Sequence, residues 1–427
     1  MTLKTPSSDR LSSTSSSESA SSEASVQKLD VNDLDILKLL GTGHIGRVFL
    51  ARHRSTSQLL ALKVITKTAL SPQECAGVLR EQCILEKLCG ATVDHALFTR
   101  LMASWHDEQN FYMALEYIAG GDLAIELGRC GTFDEERVRL YAAEIITTLE
   151  VLHAQGVVHR DIKPANLLFR PNGHLVLADF GHSLSFDTHT HTTGLSSTGQ
   201  RLVSSPNTTG EVCGTPYYMS PEMHAGLQYS YDVDLWALGV MMYRMLTRRM
   251  PLGGDTIQRS HVGGHVLRDP VLFETDDRVS PSARSLLQRM LAKDAHQRLD
   301  LRSLKSHPFF ADTDWDKIKA RRHLAPWTPF VSPIPKIAKT SPGFQRGRPY
   351  DDSDDPFPQF TFTAPCFSLV DAVAVALPEL PISSQSTCRL RATVRKIFHC
   401  SRLIQKRATP RAIHLSDKEN DPFLDSV

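Results

Sequence analysis

Apolar residues recur with two different periods along this chain. Over 34–40 they crowd together and then enter Gly41-Thr42-Gly43-His44-Ile45-Gly46-Arg47-Val48-Phe49-Leu50, where β-branched and apolar residues flank glycines, which reads as strand, glycine turn, strand. Residues 59–65 predict another strand, an apolar run interrupted by Lys63. Over 74–88 the spacing becomes helical, with Val78, Leu79, Cys83, Ile84, Leu85 and Leu88 grouped so that Glu81 can face inward. Strands over 98–105 and 111–118 complete a small, strand-rich lobe. Beyond Ala119-Gly120-Gly121 the pattern turns helical, and 133–154, 233–247 and 281–291 predict long helices.

These periods divide the 427 residues. Residues 1–32 are serine-rich and hold too few apolar groups to fold, 33–118 form the small lobe, and 119–310 form the large one. Within the large lobe, 183–210 is a long Ser-, Thr-, Gly- and His-rich excursion, expected to be a flexible, phosphorylatable insert. A proline-punctuated tail spans 311–362, and 363–427 are expected to be mostly disordered.

Composition changes this picture little. Hydrophobic residues make up 41%, enough for a sizeable core, and a net charge of +1 favours neither nucleic acid nor membrane as a general partner. Eight cysteines are scattered without CxxC pairs, as expected for reduced thiols in a cytoplasmic or nuclear protein. No apolar run approaches the roughly 20 residues of a membrane span, so no transmembrane segment is expected. The basic stretch 389–411 offers contact with acidic lipid or nucleic acid, against the plainer reading of a solvated segment.

The candidate chemistry lies in His159-Arg160-Asp161-Ile162-Lys163-Pro164-Ala165-Asn166 and, shortly after, Asp179-Phe180-Gly181. Phosphoryl transfer from ATP requires chiefly position and positive charge. Asp161 is the expected acceptor of a substrate hydroxyl proton, and Lys163 the cation beside the moving phosphate. Asn166 and Asp179 are oxygen donors suited to Mg2+. Upstream, Gly41, Gly43 and Gly46 let backbone N–H groups approach phosphates, and no helix follows the loop, which disfavours a dinucleotide fold. Lys63 in an apolar strand needs a partner, Glu81 being preferred to Glu86; a lysine on a solvated edge is the bland alternative. Lys163 two residues after Asp161 favours serine/threonine over tyrosine acceptors, as does Thr215-Pro216, since Thr215 can hydrogen-bond near Asp161. His159 and Phe180 are expected to pack.

With these motifs the chain resembles eukaryotic protein kinases, specifically the AGC group that includes cyclic-AMP-dependent kinase and protein kinase B. Group-level segments are 35–41, Cys213-Gly214-Thr215-Pro216, Ser220-Pro221-Glu222, 232–239 and Arg298 before His307-Pro308-Phe309-Phe310. The resemblance implies an α+β bilobal fold: a five-stranded small lobe with one main helix, a mainly helical large lobe, and a C-terminal tail wrapping the small lobe. It also implies a Glu222–Arg298 ion pair and Asp234 as anchor of the catalytic loop. Adenine is expected between Leu40, Val48 and Ala61 above and Leu168 below. The Glu116 and Ile118 backbones would serve as hinge, Leu115 as gatekeeper, and Asp122 would meet the ribose.

In the tail, Pro326-Trp327-Thr328-Pro329-Phe330 resembles the segment that runs back along the small lobe. Phe357, Phe360, Thr361 and Phe362 match the group's hydrophobic motif, Thr361 being a target for an upstream kinase. Phe344, with Tyr350 second, is the candidate cover for adenine, and Thr340 or Ser341 a candidate phosphosite.

Three departures stand out. Glu211 replaces the activation-loop threonine and is expected to pair with Arg160, with phosphorylation of Thr208 or Thr209 as the alternative. The 183–210 excursion is unusually long, and a metal at His182, His189 and His191 is not expected. Ala165 and Arg244 replace two acids that read basic substrates in the group, leaving Asp122, so a basic consensus is not carried over. The implied function is ATP- and Mg2+-dependent phosphorylation of protein substrates by a monomer. The alternatives are a pseudokinase or scaffold, which usually lacks a key polar residue, and a small-molecule kinase.

Overall fold

β1 (Leu34–Thr42), β2 (Arg47–His53) and β3 (Leu59–Thr66) form an antiparallel sheet in which the regular β2–β3 register sorts side chains onto two faces, while β1 pairs with β2 through two register shifts. Val48 lies opposite Lys63 and Phe49 opposite Leu62, so Val48, Ala61 and Lys63 share one face while Phe49, Leu60, Leu62 and Val64 share the other. The computed structural model describes residues 29–43, 45–90, 93–186, 207–253, 257–275, 277–331, 333, 343–351 and 353–364. His189, His191, Thr340, Ser341 and the basic stretch 389–411 lie outside these residues.

Ser71 and Glu74 form a reciprocal cap that starts α1 (Pro72–Leu88), with Pro72 in its first turn. The sheet continues through β4 (Leu101–His106) and β5 (Asn110–Glu116) in the order β1-β2-β3-β5-β4. The five expected strands gain a sixth from the tail, a two-residue strand paired to β4 and numbered β10 below.

The large lobe follows the hinge. Its elements are α2 (Leu123–Cys130), α3 (Glu135–Ala154), β6 (Val157–Val158), β7 (Leu167–Phe169), β8 (Leu175–Leu177), β9 (Leu184–Ser185), α4 (Pro221–His224), α5 (Asp232–Thr247), α6 (Val262–Arg268), α7 (Pro281–Met290), α8 (Leu301–Lys305) and α9 (Trp315–Lys319). Its core joins the inner side of the small lobe in one apolar cluster containing Leu149, Phe169, Trp236, Met241 and Leu287. Glu222 and Arg298 form the expected buried pair at 2.7 and 3.1 Å. Among the described residues, Cys75, Cys83, Cys89, Cys130 and Cys213 form no disulfide. Among the described residues no helix is long and apolar enough to cross a membrane.

The tail returns by a different route from the one its proline–aromatic segment implies. Trp327 packs edge-on against Phe169 of β7 at 5.0 Å, and Pro329 lies against Gly120 of the hinge. The segment thus rests on the large lobe and hinge, where Phe169 supplies an apolar surface. Farther on, Phe357 precedes and Phe360 ends a 3₁₀ turn (Pro358–Phe360), and β10 (Phe362–Thr363) pairs with Ser104 and Ala103.

Candidate active site

Asp161 lies on the loop between β6 and β7, and Asp234 at the start of α5 holds that loop. The Asp234 carboxylate accepts from the backbone N–H groups of His159 at 2.9 Å and Arg160 at 2.8 Å. This grip maintains Arg160 at φ +69°, a left-handed conformation that a non-glycine residue adopts only when its surroundings enforce it. Asp179, at φ +60°, is the second such residue in the site.

The Asp161 carboxylate is 3% exposed and fully engaged. Its Oδ1 accepts from the Thr215 N–H at 2.9 Å and the Thr215 hydroxyl at 2.7 Å. Its Oδ2 lies 3.0 Å from Lys163 Nζ and 3.1 Å from Asn166 Nδ2. Lys163 also donates to the Thr215 hydroxyl at 2.9 Å. Burial alone would raise the Asp161 pKa, but Lys163 and Thr215 outweigh it and hold the group below its ordinary value. Thr215 comes this close because Gly214 precedes it at φ +97°, where a Cβ would stand 2.5 Å from the Arg160 carbonyl oxygen.

A second cluster sits beneath the sheet. Lys63 donates to both Glu81 oxygens at 2.6 and 2.8 Å and lies 3.6 Å from Asp179 Oδ1. Burial disfavours the ammonium, yet the two carboxylates prevail and raise the Lys63 pKa. Of the two candidate partners, Glu81 is the one that pairs; Glu86 accepts from Gln82. His159 and Phe180 pack edge to face at 5.2 Å, fixing the base of the Asp179 segment.

The hinge is tied to β7. Gly120 N–H donates to the Phe169 carbonyl at 3.0 Å and Phe169 N–H to the Gly121 carbonyl at 2.8 Å, which sets Asp122 beside Leu168. Glu116 turns its carboxylate to Arg170 and Arg100, at 2.7 and 3.2 Å. The Asp122 carboxylate caps α2 by accepting from the Ile125 N–H at 2.8 Å. Leu115 lies on β5 opposite Ala61, and Leu40 ends the apolar part of β1.

The residues present fit a nucleotide with magnesium. Ile118 is 7% exposed, and among the described residues nothing accepts from its N–H, a donor available to a purine edge. Asn166 spends its amide nitrogen on Asp161, leaving its oxygen with no described donor. The half-exposed Asp179 carboxylate offers a second hard donor. At the glycine loop, the Gly43 N–H closes the turn onto the Gly46 carbonyl at 2.7 Å. Gly41 faces open space, whereas a Cβ at Gly46 would strike Ile65 at 2.8 Å.

The regulatory candidates are also placed. Glu211 Oε2 pairs with Arg160 Nη1 at 2.9 Å and with Arg80 Nη1 at 3.3 Å. Thr209 pairs through its backbone with Tyr229, in both directions, at 3.0 and 2.9 Å. Phe360 is fully buried, 4.8 Å from the Phe111 ring, and Phe357 is 5.2 Å from the same ring. Thr361 and Phe362 follow, both partly buried. Phe344 does not cover the adenine site. It lies on the outer face of the sheet, 5.5 Å from Phe49 and 6.2 Å from Tyr112, because those rings give it an apolar bed. Tyr350 likewise rests on His106, at 5.3 Å.

Several contacts had no signal in the sequence. Lys67 donates to His106 Nδ1 at 2.9 Å and stands over the Phe111, Tyr350 and Phe357 rings at 4.6–5.4 Å. His106 Nε2 in turn meets Asp355 at 2.8 Å. Neither Lys67 nor Asp355 belongs to a recognisable motif. Arg80 as a partner of Glu211 was equally invisible, since 131 residues separate them.

Comparison with known proteins agrees with this geometry. Residues 34–310 match the protein kinase domain model. A RAC family serine/threonine-protein kinase homolog of Dictyostelium discoideum is 34% identical over 74% of this chain and 66% of its own length. Serine/threonine-protein kinase Sgk1 of Danio rerio is 33% identical over 79% of this chain and 72% of its own. Serine/threonine-protein kinase YPK1 of Saccharomyces cerevisiae is 32% identical over 77% and 45%. The chain therefore spans less than two thirds of the length of several relatives, YPK1 among them. It belongs to the protein kinase family, within the AGC group.

Proposed function

We propose that this chain transfers the terminal phosphoryl group of ATP to serine and threonine hydroxyls of protein substrates. The observation that carries the reading is the closed set Asp161–Lys163–Thr215–Asn166, facing the Lys63–Glu81–Asp179 cluster with every polar member present. Asp161 orients the acceptor hydroxyl and takes its proton, as its depressed pKa keeps it ionised. Lys163, tied to Asp161 and Thr215, stands beside the moving phosphoryl group. Lys63, kept charged by Glu81, holds the inner phosphates under Gly41, Gly43 and Gly46.

Asn166 and Asp179 would hold Mg2+, which supplies neutralisation of phosphate charge when bound. The purine lies between Leu40, Val48 and Ala61 on one side and Leu168 on the other, against the Glu116 and Ile118 backbones, with Asp122 toward the ribose. Glu211 stands in for an activation-loop phosphate by giving Arg160 a permanent counterion. The Phe357–Phe360 turn steadies α1, and an upstream kinase acting on Thr361 would reinforce it. The protein works as a monomer in the cytoplasm or nucleus.

Transfer from labelled ATP to a generic protein substrate, with wild type beside Asp161→Ala, tests the reading. Magnesium-dependent labelling lost in the variant is expected. Wild-type protein that binds ATP yet labels nothing would move the chain to the scaffold class.

A further inference from the structure

The large lobe holds a guanidinium without an anion beside the acceptor site. Arg244, in the last turn of α5, is half-buried, and its side chain meets one described partner, the Tyr218 hydroxyl, at 2.8 Å. The two fully buried arginines are paired with acids, Arg160 with Glu211 and Arg298 with Glu222, while the half-buried Arg139 and Arg284 spend their N–H groups on backbone carbonyls. Among the described residues no carboxylate reaches Arg244.

Its location connects it to the chemistry. Tyr218 ends the 3₁₀ turn Pro216–Tyr218, which begins directly after Thr215, the residue that grips Asp161 and Lys163. Burial raises the Tyr218 pKa; Arg244 opposes that rise, while the Asp161 charge is near enough to add to it. Arg244 therefore stands one side chain away from the acceptor site. One turn on, the exposed Arg248 lies against Gly131 at the end of α2 and also meets no described carboxylate. Tyr217, next to Tyr218, donates to the Ile257 carbonyl at 2.9 Å. The C-terminal end of α5 tolerates a cation, which accounts for the charge being stable there but not for its meeting, among the described residues, only the Tyr218 hydroxyl.

A partly desolvated guanidinium with free N–H groups is a receptor for planar anionic oxygens, which it binds in forked pairs. We propose that Arg244 makes this phosphotransferase select acceptors carrying an acidic group, a carboxylate or a phosphate, within a few residues of the hydroxyl. The proposal rests on the protein kinase reading above.

The test uses the full chain, ATP and Mg2+ with serine peptides that place Asp, phosphoserine or Arg at each position near the acceptor. The best acidic peptide should exceed its arginine counterpart by about tenfold in kcat/KM. Arg244→Glu should reverse that order and Arg244→Gln flatten it, while the KM for ATP stays put. A cation that only steadies the helix end would not move the ratio. The wild-type profile decides even if the variants fold poorly: equal rates, or preference for arginine, overturn the proposal. So does an acidic preference that survives both substitutions. Absence of Asp161-dependent transfer to every peptide would instead remove the kinase reading itself, and the proposal with it.

Discussion

Glu211 and Arg160 lie 51 residues apart in the chain and form an ion pair at 2.9 Å, the arginine side chain 2% exposed and the glutamate half-exposed. The same carboxylate oxygen reaches Arg80, the residue before Glu81 in α1. One acid thus links the catalytic loop, the segment before Cys213, and the helix that presents the partner of Lys63. Burial would raise the Glu211 pKa, but Arg160 and Arg80 hold it down, so the link persists at neutral pH.

Glu211→Ala leaves Arg160 buried without its counterion, and the loop it supports should loosen. Protein made without an upstream kinase should lose about tenfold in kcat. Arg80→Ala should cost less, being solvent-screened. Thr209→Ala should cost little, because Thr209 pairs with Tyr229 through its backbone and its hydroxyl accepts only a long bond, at 3.3 Å, from the Glu211 N–H. Equal activity of Glu211→Ala and wild type would show that Arg160 needs no acid.

How much of this site was legible in the sequence follows from how local each constraint is. Asp161, Lys163 and Asn166 fall within six residues, so one loop conformation fixes their separations and spacing alone exposes them. The alternation that set Lys63 beside Val48 was equally local. Phe344 shows the limit: an aromatic residue in a tail can find any apolar bed, and here Phe49 and Tyr112 supply one on the outer face of the sheet. Lys67, His106 and Asp355 cooperate across nearly three hundred residues, and no periodicity encodes such a meeting. Trp327 rests on the large lobe and not on the small one for the same reason, since its bed, Phe169, is defined only once β7 has met the hinge.

Asp161 and Lys63 should fail in different ways. Asp161→Asn keeps an oxygen for Thr215 but can no longer take a proton. Turnover should fall at least 10³-fold with nucleotide affinity and melting temperature nearly unchanged. Lys63→Met strands Glu81, 2% exposed, without its cation, at a cost of roughly 3–5 kcal/mol. Thermal unfolding with and without ATP separates the two. An Asp161→Asn protein that melts as early as Lys63→Met would mean that Asp161 is chiefly structural.

The tail aromatics are docked with Thr361 unmodified. Phe360 is fully buried between Phe111 and α1, and the Ser104 hydroxyl donates to its carbonyl at 2.7 Å. Phe360→Ala should cost about 3–5 kcal/mol at that contact and release the tail, so that limited proteolysis cleaves between Asp355 and Ala364 and activity drops. Thr361→Ala should leave the cleavage pattern unchanged. Protection of the segment in Phe360→Ala would show that β10 and the His106–Asp355 pair hold it unaided.

Glu144 in α3 gathers the tail onto the large lobe. Its carboxylate accepts from His174 Nδ1 at 2.6 Å, His323 Nε2 at 2.7 Å, Arg321 at 2.8 Å and the Leu175 N–H at 2.8 Å. Burial would raise its pKa, yet these donors hold it at about 2 against an ordinary 4.5. A depressed carboxylate stabilises the fold fully above its unfolded pKa and loses that contribution as pH falls toward the folded value. The window is therefore between about 4.5 and 2, and the stake is about 3 kcal/mol. Glu144→Gln removes the charge, so its deficit in denaturant midpoint should be large at pH 7 and shrink steadily below pH 4.5. A deficit of constant size from pH 7 to pH 3 would mean that the loss is one of packing and hydrogen bonding, with the charge of Glu144 playing no part.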